Sequence, residues 1–316
     1  MISILMPFKN EGKFLRKTLE TILNQEVDFE LIAVDDHSSD GSWELIEGID
    51  KQFKLFKNEG RGTIDALKTA YKKSSGDFIT RMDADDLMPK NKLKELKRIL
   101  IAAGRGHVST GRVEYFSDGE LGAGFIKYAD WLNGLCERDD HFTHIFKECV
   151  IASPNWMMYR EDFEKIGGFG DSIYPEDYHL VFKMWQAGLK VVSSDCITHL
   201  WRDHAGRASR NLEVYRDQKF YDLKLDFFLK TKCDDITLWG AGPSGKKLAK
   251  KLLERRVEFR WVTGNLRKVG KFIYGVEIKL LDEVKDNVIL AVTQKDASDG
   301  IVKFLKDREI DNYYFF

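Results

Sequence analysis

Apolar residues fall in short blocks along the first hundred positions, and two kinds of spacing alternate. Ile2 to Met6, Glu30 to Val34, Phe53 to Phe56 and Asp77 to Met82 are compact, mostly apolar runs of strand length. Between them, Lys13 to Asn24 carries Phe14, Leu15, Leu19, Ile22 and Leu23 at helical spacing. Ser42 to Ile49, Thr63 to Lys73 and Lys90 to Ala103 also read as helices, the first preceded by the turn and cap residues Ser38, Ser39, Asp40 and Gly41. Short strands alternating with helices predict βαβ units around a parallel sheet, an α/β fold.

The middle third is less regular. Phe125 to Cys136, Glu161 to Ile166 and Asp177 to Ala187 read as helices, Gly188 stops the last of these, and Lys190 to Ser193 reads as a strand. Asn211 to Lys230 is expected to be a helix leading out of the domain. A second βαβ pattern begins near Cys233, with strand Ile236 to Trp239, a glycine-rich turn, helix Lys246 to Arg255 and strand Phe259 to Val262. Strand Asn287 to Val292 and helix Gly300 to Arg308 follow. Two domains are therefore expected, residues 1–232 with the exit helix at its end and a smaller α/β domain over 233–316. A length of 316 residues agrees with that number.

Composition narrows the function classes. Hydrophobic residues at 43% and charged residues at 32% exclude a disordered chain. Fifty Lys and Arg against 51 Asp and Glu leave a net charge of -1, so no strong basic field marks nucleic acid as a partner. No apolar stretch approaches the roughly 18–20 residues of a transmembrane segment. The amino terminus has too short an apolar run and no basic leader, so it reads as a buried first strand. The cysteines Cys136, Cys149, Cys196 and Cys233 are scattered, which suggests reduced thiols and a cytoplasmic protein. A peripheral place at the membrane is compatible with this.

Three acidic clusters carry the candidate chemistry. Asp35-Asp36 and Asp83-Ala84-Asp85-Asp86 end predicted strands, and ligands of open parallel sheets bind beyond those ends. Asp35-Asp36 alone reads as well as a cap or solvated turn as it does as a pair facing a ligand. Three carboxylates in four positions repel one another unless a cation neutralises them. Hard divalent ions take oxygen ligands, and Mg²⁺ commonly joins one or two carboxylates to substrate phosphates. Glu176-Asp177 stands at a helix start, where capping is the bland reading and a general base the functional one.

The strings ISILMPFKNEGKFLRKTLETILNQ, VDDHSSDGS, NEGRGTIDAL and GDFITRMDADD, with GGFGDSIYPEDYHLVFKMWQAG further on, resemble the inverting family 2 glycosyltransferases of the GT-A fold. The resemblance covers roughly residues 1–210 and rests on several ordered motifs. It implies a GT-A nucleotide-binding sheet, a nucleotide-sugar donor (a UDP-sugar), a divalent metal (Mn²⁺ or Mg²⁺) and a glycan or lipid-linked acceptor. It implies that Pro7 and the backbone near Phe8 line the nucleotide pocket, that Asp36 accepts from the base, and that Arg61 lies near the nucleotide. Asp83 and Asp85 match the Asp-x-Asp motif, with Asp83 toward ribose or metal, Asp85 as metal ligand and Asp86 behind them. Asp177 matches the catalytic base, and Glu176 helps place the acceptor. A homo-oligomer is left open.

In HLWRDHAGRASR, the resemblance implies a histidine that completes the metal shell or touches diphosphate, with His204 favoured and His199 the other choice. Arg202, Arg207 and Arg210 are candidates for gripping phosphate, a solvated basic loop being the equal alternative. Asp139, Asp140, His141 and His144 include an H-x-x-H spacing but lack the helix of a zinc site, and read as a polar loop. Trp131, Trp156 and Tyr159 suit either sugar stacking or core packing.

In the last domain, Gly240, Gly242 and Gly245 form a G-x-G-x-x-G between a strand and a helix. The second strand runs into Val262-Thr263-Gly264-Asn265, without the acidic residue that holds a dinucleotide ribose. Lys247 stands where a P-loop has Ser or Thr. The domain resembles the small Rossmann-like domains beside sugar-modifying enzymes, and an accessory role is expected for it.

Overall fold

The computed structural model describes residues 1–316 except 48, 50–52, 208–216, 232–233, 281–283, 285–286 and 316. The chain divides into two compact units, Met1–Thr143 with Cys149–Glu213, and His144–Glu148 with Val214–Phe316.

The first unit is built on a sheet of β1 (Ile2–Phe8), β2 (Phe29–Asp35), β3 (Phe53–Lys57), β4 (Phe78–Arg81), β5 (His107–Phe116), β6 (Met157–Tyr159) and β7 (Lys190–Arg202). The strand order is β3-β2-β1-β4-β6-β5-β7, and only β6 runs antiparallel to its neighbours among these strands. β1 and β2 are central, buried on both faces, which is why their sequences are nearly continuous apolar runs. Helix α1 (Gly12–Leu23) buries Phe14, Leu15, Leu19 and Ile22. Leu15, Leu19 and Ile22 join Ile2, Ile4 and Met6 of β1 and Leu31 and Ala33 of β2 in one core. Further helices are α2 (Ser42–Glu47), α3 (Thr63–Lys73), α4 (Lys92–Ala103), α5 (Ala123–Arg138), α6 (Arg160–Lys165) and α7 (Glu176–Gln186).

Three strands of this sheet, β5, β6 and β7, exceed what the apolar pattern predicts. β5 lies in a stretch read as irregular, and its buried Ser109 and Thr110 donate to the carbonyls of Met157 and Asn155. β7 continues nine residues past Ser193 to Arg202. Its pairing with β5 shifts register between Gly111 and Val113, and that irregularity hides the continuation from a simple alternation.

The second unit holds α8 (Asp217–Thr231), β8 (Thr237–Trp239), α9 (Pro243–Glu254), β9 (Arg260–Val262), β10 (Phe272–Ile273), β11 (Val276–Lys279), β12 (Val288–Leu290), α10 (Lys295–Lys306) and β13 (Asn312–Tyr314). Its sheet order is β10-β11-β9-β8-β12-β13, parallel apart from the β10–β11 hairpin. The helix expected to end the first domain packs here. Asp222 and Asp226 of α8 pair with Lys251 and Arg255 of α9, and Phe228 packs on Tyr313 and Phe315. The division thus falls before α8, earlier in the chain than the expected position near residue 232. The start of the expected helix, at 211–216, and Cys233 lie outside the described residues.

Candidate active site

The crevice forms where β1, β2 and β4 end side by side. The Asp36 N–H donates to the Phe8 carbonyl at 2.8 Å, tying the β2 exit to the end of β1. Asp36 Oδ1 accepts from Asn58 Nδ2 at 2.7 Å and from the Gly62 N–H at 2.8 Å, and Lys9 Nζ stands 3.4 Å from Oδ2. Its neighbour serves the turn, since Asp35 Oδ1 accepts from the Ser38 N–H and Oδ2 meets Lys57. The pair read as ambiguous in sequence is therefore split in structure. Pro7 is half-buried beside it, the Phe8 ring is packed in the core, and the Arg61 side chain is exposed.

At the end of β4, buried Arg81 reaches two acids. Its Nε donates to Asp83 Oδ1 at 2.8 Å, and its NH1 donates to Glu176 Oε1 at 3.1 Å. The guanidinium joins the turn after β4 to the start of α7. Burial pushes the Asp83 carboxyl above the usual carboxylate range; Arg81 opposes this, while Asp85 and Glu176 add to it. Asp177 sits in the first turn of α7 and accepts from the Tyr178 N–H at 2.8 Å. Burial and the adjacent Glu176 carboxylate raise it to about 7 against the pull of Arg81.

Asp85 faces a different set. His204 Nε2 lies 2.9 Å from Asp85 Oδ2, and the imidazole packs on Phe14 with ring centroids 4.6 Å apart. Glu11, at the entry to α1, completes a group in which one ligand atom from each of Glu11, Asp85 and His204 lies within 4.8 Å of the others. Burial, with Asp85, Asp83 and Asp40, pushes the Glu11 carboxyl up to about 8. Two carboxylates and an imidazole converging at a point where negative charge is this costly fit a hard divalent cation. Asp83 is not in this group.

Asp86 turns inward. Its Oδ2 meets His199 Nε2 at 2.9 Å and its Oδ1 accepts the Arg202 N–H at 2.8 Å. His199 Nδ1 lies 3.1 Å from Lys92 Nζ, which also donates to the Pro154 carbonyl. Burial pushes Asp86 well up, His199 well down and Lys92 down to about 7. His199 is thus sealed in the core, whereas His204 lines the crevice. Arg202 is buried too. Its Nε donates to the Asp85 carbonyl at 2.7 Å and its guanidinium lies between the Phe14 and Phe116 rings. That side chain supports the turn from behind. Arg207 lies against the Tyr115, Phe125 and Trp201 rings, and Arg210 falls outside the described residues. Trp156 is buried and stacked on Phe163, so it packs the core, while Trp131 stacks on Tyr128.

Glu11, Arg81, Asn58 and Lys92 escaped the sequence reading. Glu11 had a signal, an acid three residues past the end of the first strand. Lys92 had another, since it shares with Leu96 and Leu100 the buried stripe of α4.

A family model for glycosyl transferase family 2 matches residues 3–167. The poly(ribitol-phosphate) beta-N-acetylglucosaminyltransferase TarP of Staphylococcus aureus is 33% identical over 103 residues, 30% of this chain and 31% of its own length. The chain spans less than half the length of several other curated glycosyltransferases that it matches. Among solved structures, S. aureus TarS (residues 1–349) in complex with UDP-GlcNAc superposes with a TM-score of 0.55 at 17% identity, covering 79% of this chain and 71% of that one. The mannosyltransferase PcManGT from Pyrobaculum calidifontis, in complex with GDP-Man and Mn²⁺, gives 0.53 at 20% identity, covering 80% and 69%. At these identities the two structures speak for the fold, a GT-A sheet.

Proposed function

The chain belongs to glycosyl transferase family 2, and from that premise we propose that it moves a sugar from a UDP-sugar to an acceptor hydroxyl with inversion, in polysaccharide or glycan biosynthesis. The observation that carries this reading is the convergence of Glu11, Asp85 and His204 in the crevice that also holds Asp36 and Asp83. UDP-GlcNAc in the TarS complex and Mn²⁺ in the PcManGT complex support the donor and the ion.

Each residue then has a task that its surroundings suit. Asp36, held rigid by Asn58 and Gly62, accepts from an N–H of the base, as the N3–H of uracil requires. Pro7 and the Phe8 backbone line the base pocket, Arg61 stands near the nucleotide, and Asp83 turns to the ribose. Glu11, Asp85 and His204 would hold a divalent ion, Mn²⁺ or Mg²⁺, which would supply positive charge beside the departing diphosphate. Asp177 takes the proton of the attacking hydroxyl at its carboxylate oxygen. Its affinity for that proton, near 7, suits a base at neutral pH. Attack from the face opposite the diphosphate inverts the anomeric carbon, and only one protein carboxylate is needed for it. Arg81 fixes Glu176, and with it the start of α7, so that the base and the Asp83 turn keep their spacing. The acceptor is a glycan or a lipid-linked sugar.

Nucleoside-diphosphate release from UDP-, GDP- and dTDP-sugars, with and without Mn²⁺, tests this in wild type and Asp85→Ala. Metal-dependent UDP release from one donor, lost in Asp85→Ala, is the expected result. Absence of any metal-dependent nucleotide binding would overturn it. Tight nucleotide binding without release or transfer to any glycan would assign a non-catalytic, nucleotide-sugar-binding protein instead.

A further inference from the structure

Building on the metal-site reading above, we propose that Lys92 and His199 are positioning residues that act through Asp86 to hold the 83–86 turn with Asp85 facing Glu11 and His204. Lys92 and His199 are 0% exposed and Asp86 is 1% exposed. The large majority of buried polar groups are hydrogen-bonded, and these three are linked in one chain.

We assign its direction with Lys92, the group with the most hydrogens to give, as the donor. The Pro154 carbonyl can only accept, so one Lys92 N–H goes there at 2.6 Å. A lysine has further hydrogens to give in either charge state, and the next faces His199 Nδ1 at 3.1 Å. Nδ1 is then an acceptor, the ring proton sits on Nε2, and Nε2–H donates to Asp86 Oδ2 at 2.9 Å. The other carboxylate oxygen, Oδ1, accepts the Arg202 N–H at 2.8 Å. Arg202 Nε closes the loop on the Asp85 carbonyl at 2.7 Å. On the opposite side, Thr18 Oγ1 of α1 lies 2.9 and 2.7 Å from the carbonyls of Ala84 and Asp86. The turn bearing Asp85 is hung from α4, β7 and α1 at once.

The same chain sorts the acids. Arg81 faces Asp83, and Lys92 compensates Asp86 through the imidazole ring. Asp85 and Glu11 are left turned toward each other and toward His204. A turn free to rotate would expose three adjacent acids in exchangeable positions; this one presents a single acid at a fixed place. Partners one step behind a metal ligand usually govern affinity in this way.

The test uses the full chain, Mn²⁺ alone as the probe, and calorimetric titration at one pH. In Asp86→Asn the amide carbonyl can still take the Arg202 N–H. Its NH₂ group then meets the His199 Nε2–H donor to donor. We expect Mn²⁺ affinity to fall by about 10–100-fold. Adding Lys92→Met frees Nδ1 to carry the proton, so Nε2 can accept from the amide, and most of the affinity returns. A packing role alone makes the two losses add. Asp86→Asn binding Mn²⁺ as wild type does, or a double variant weaker than Asp86→Asn, would overturn the proposal. If the variants fail to fold, ¹⁵N NMR of the wild-type His199 ring decides. A neutral ring with Nε2–H supports the chain, and Nδ1–H or an imidazolium removes it. Wild type that binds no Mn²⁺ defeats the metal reading itself, and is separable because the ring tautomer is still read.

Discussion

Both units place a turn at the carboxyl end of parallel strands, and the two turns treat their polar groups in opposite ways. Around β1 and β4, Glu11, Asp83, Asp85 and Asp86 crowd together; burial raises Asp83 above the usual carboxylate range, and Glu11 and Asp86 well above it. After β8, the Gly240 carbonyl accepts from Trp261 Nε1 at 2.8 Å and the Ala241 carbonyl accepts from Lys268 Nζ at 2.7 Å. A Cβ on Gly245 would lie 1.9 Å from the Gly240 oxygen, so that glycine is required by the backbone's own packing. Thr263 Oγ1, where a ribose-binding acid is expected, accepts from the Asn265 N–H at 3.2 Å. Among the described residues, the first turn gathers carboxylates whose charge burial makes costly; in the second, the Gly240 and Ala241 carbonyls take donors from their own unit. A ligand site shows itself by what it leaves unbalanced, and that difference separates two turns with equally suggestive sequence motifs.

The sharpest break of this comparison is Asp177→Asn. With the base removed and the helix start otherwise intact, sugar transfer should drop by about 10²–10⁴-fold, while Mn²⁺ binding and melting temperature hold. The pH dependence has a definite sign. Asp177 is raised to about 7, so below that pH it carries a proton and cannot take another. Transfer by wild type should then fall about tenfold per unit as pH drops below about 7. A flat rate profile across that range, at saturating donor and metal, would remove Asp177 from the role of base.

Much of this was legible in the sequence because it is local. Thr63 to Lys73 is a helix at the expected residues, since both ends are written in its own spacing. The strand-end acids were legible because an apolar run followed by Asp locates the crevice. Partnerships across long separations were not. Arg81 meets Glu176 95 positions away and Lys92 meets His199 107 away, whereas His204, 119 positions from Asp85, was reached through the family resemblance alone. Nothing in the local string around Arg81 distinguishes a clamp from a solvated arginine at a strand end. β5 was hidden for another reason: Ser109, Thr110 and Gly111 are buried but polar or small, and their burial is enabled by partners on other strands. The allegiance of α8 was hidden likewise, because its Asp222 and Asp226 look like solvated acids until Lys251 and Arg255 arrive from α9.

The next effect is on stability and sharpens the claim of unbalanced charge. Glu11 has a folded value of about 8 against an ordinary 4.5. Its contribution is therefore fully present below about pH 4.5 and is lost as pH rises toward 8. Without metal, the first unit should melt at a lower temperature at pH 8 than at pH 5. The cost is on the order of 2 kcal/mol once solvent screening of this half-buried group is allowed for. Glu11→Gln should flatten that slope. Mn²⁺ should raise the melting temperature of wild type more at pH 8 than at pH 5, because ion binding needs the carboxylate form. A Glu11→Gln protein with the wild-type slope and the wild-type response to Mn²⁺ would show that Glu11 belongs to neither effect.

The smallest effect tests the quieter turn. Gly242 has φ -79° and ψ -170°, a backbone any residue adopts, and a Cβ there meets nothing within 4 Å. In a dinucleotide turn this middle glycine is the one that lets pyrophosphate approach the backbone. Here the position opens α9 as its N-cap without a side-chain bond, so Gly242→Ala should cost no more than about 1 kcal/mol in the melting of the second unit. Titration with NADH, followed by its fluorescence, should show no binding by either protein. Saturable NADH binding by wild type that Gly242→Ala abolishes would make this turn a ligand site, and the contrast between a crevice crowded with buried acids and a turn that takes no ligand would fail at its second half.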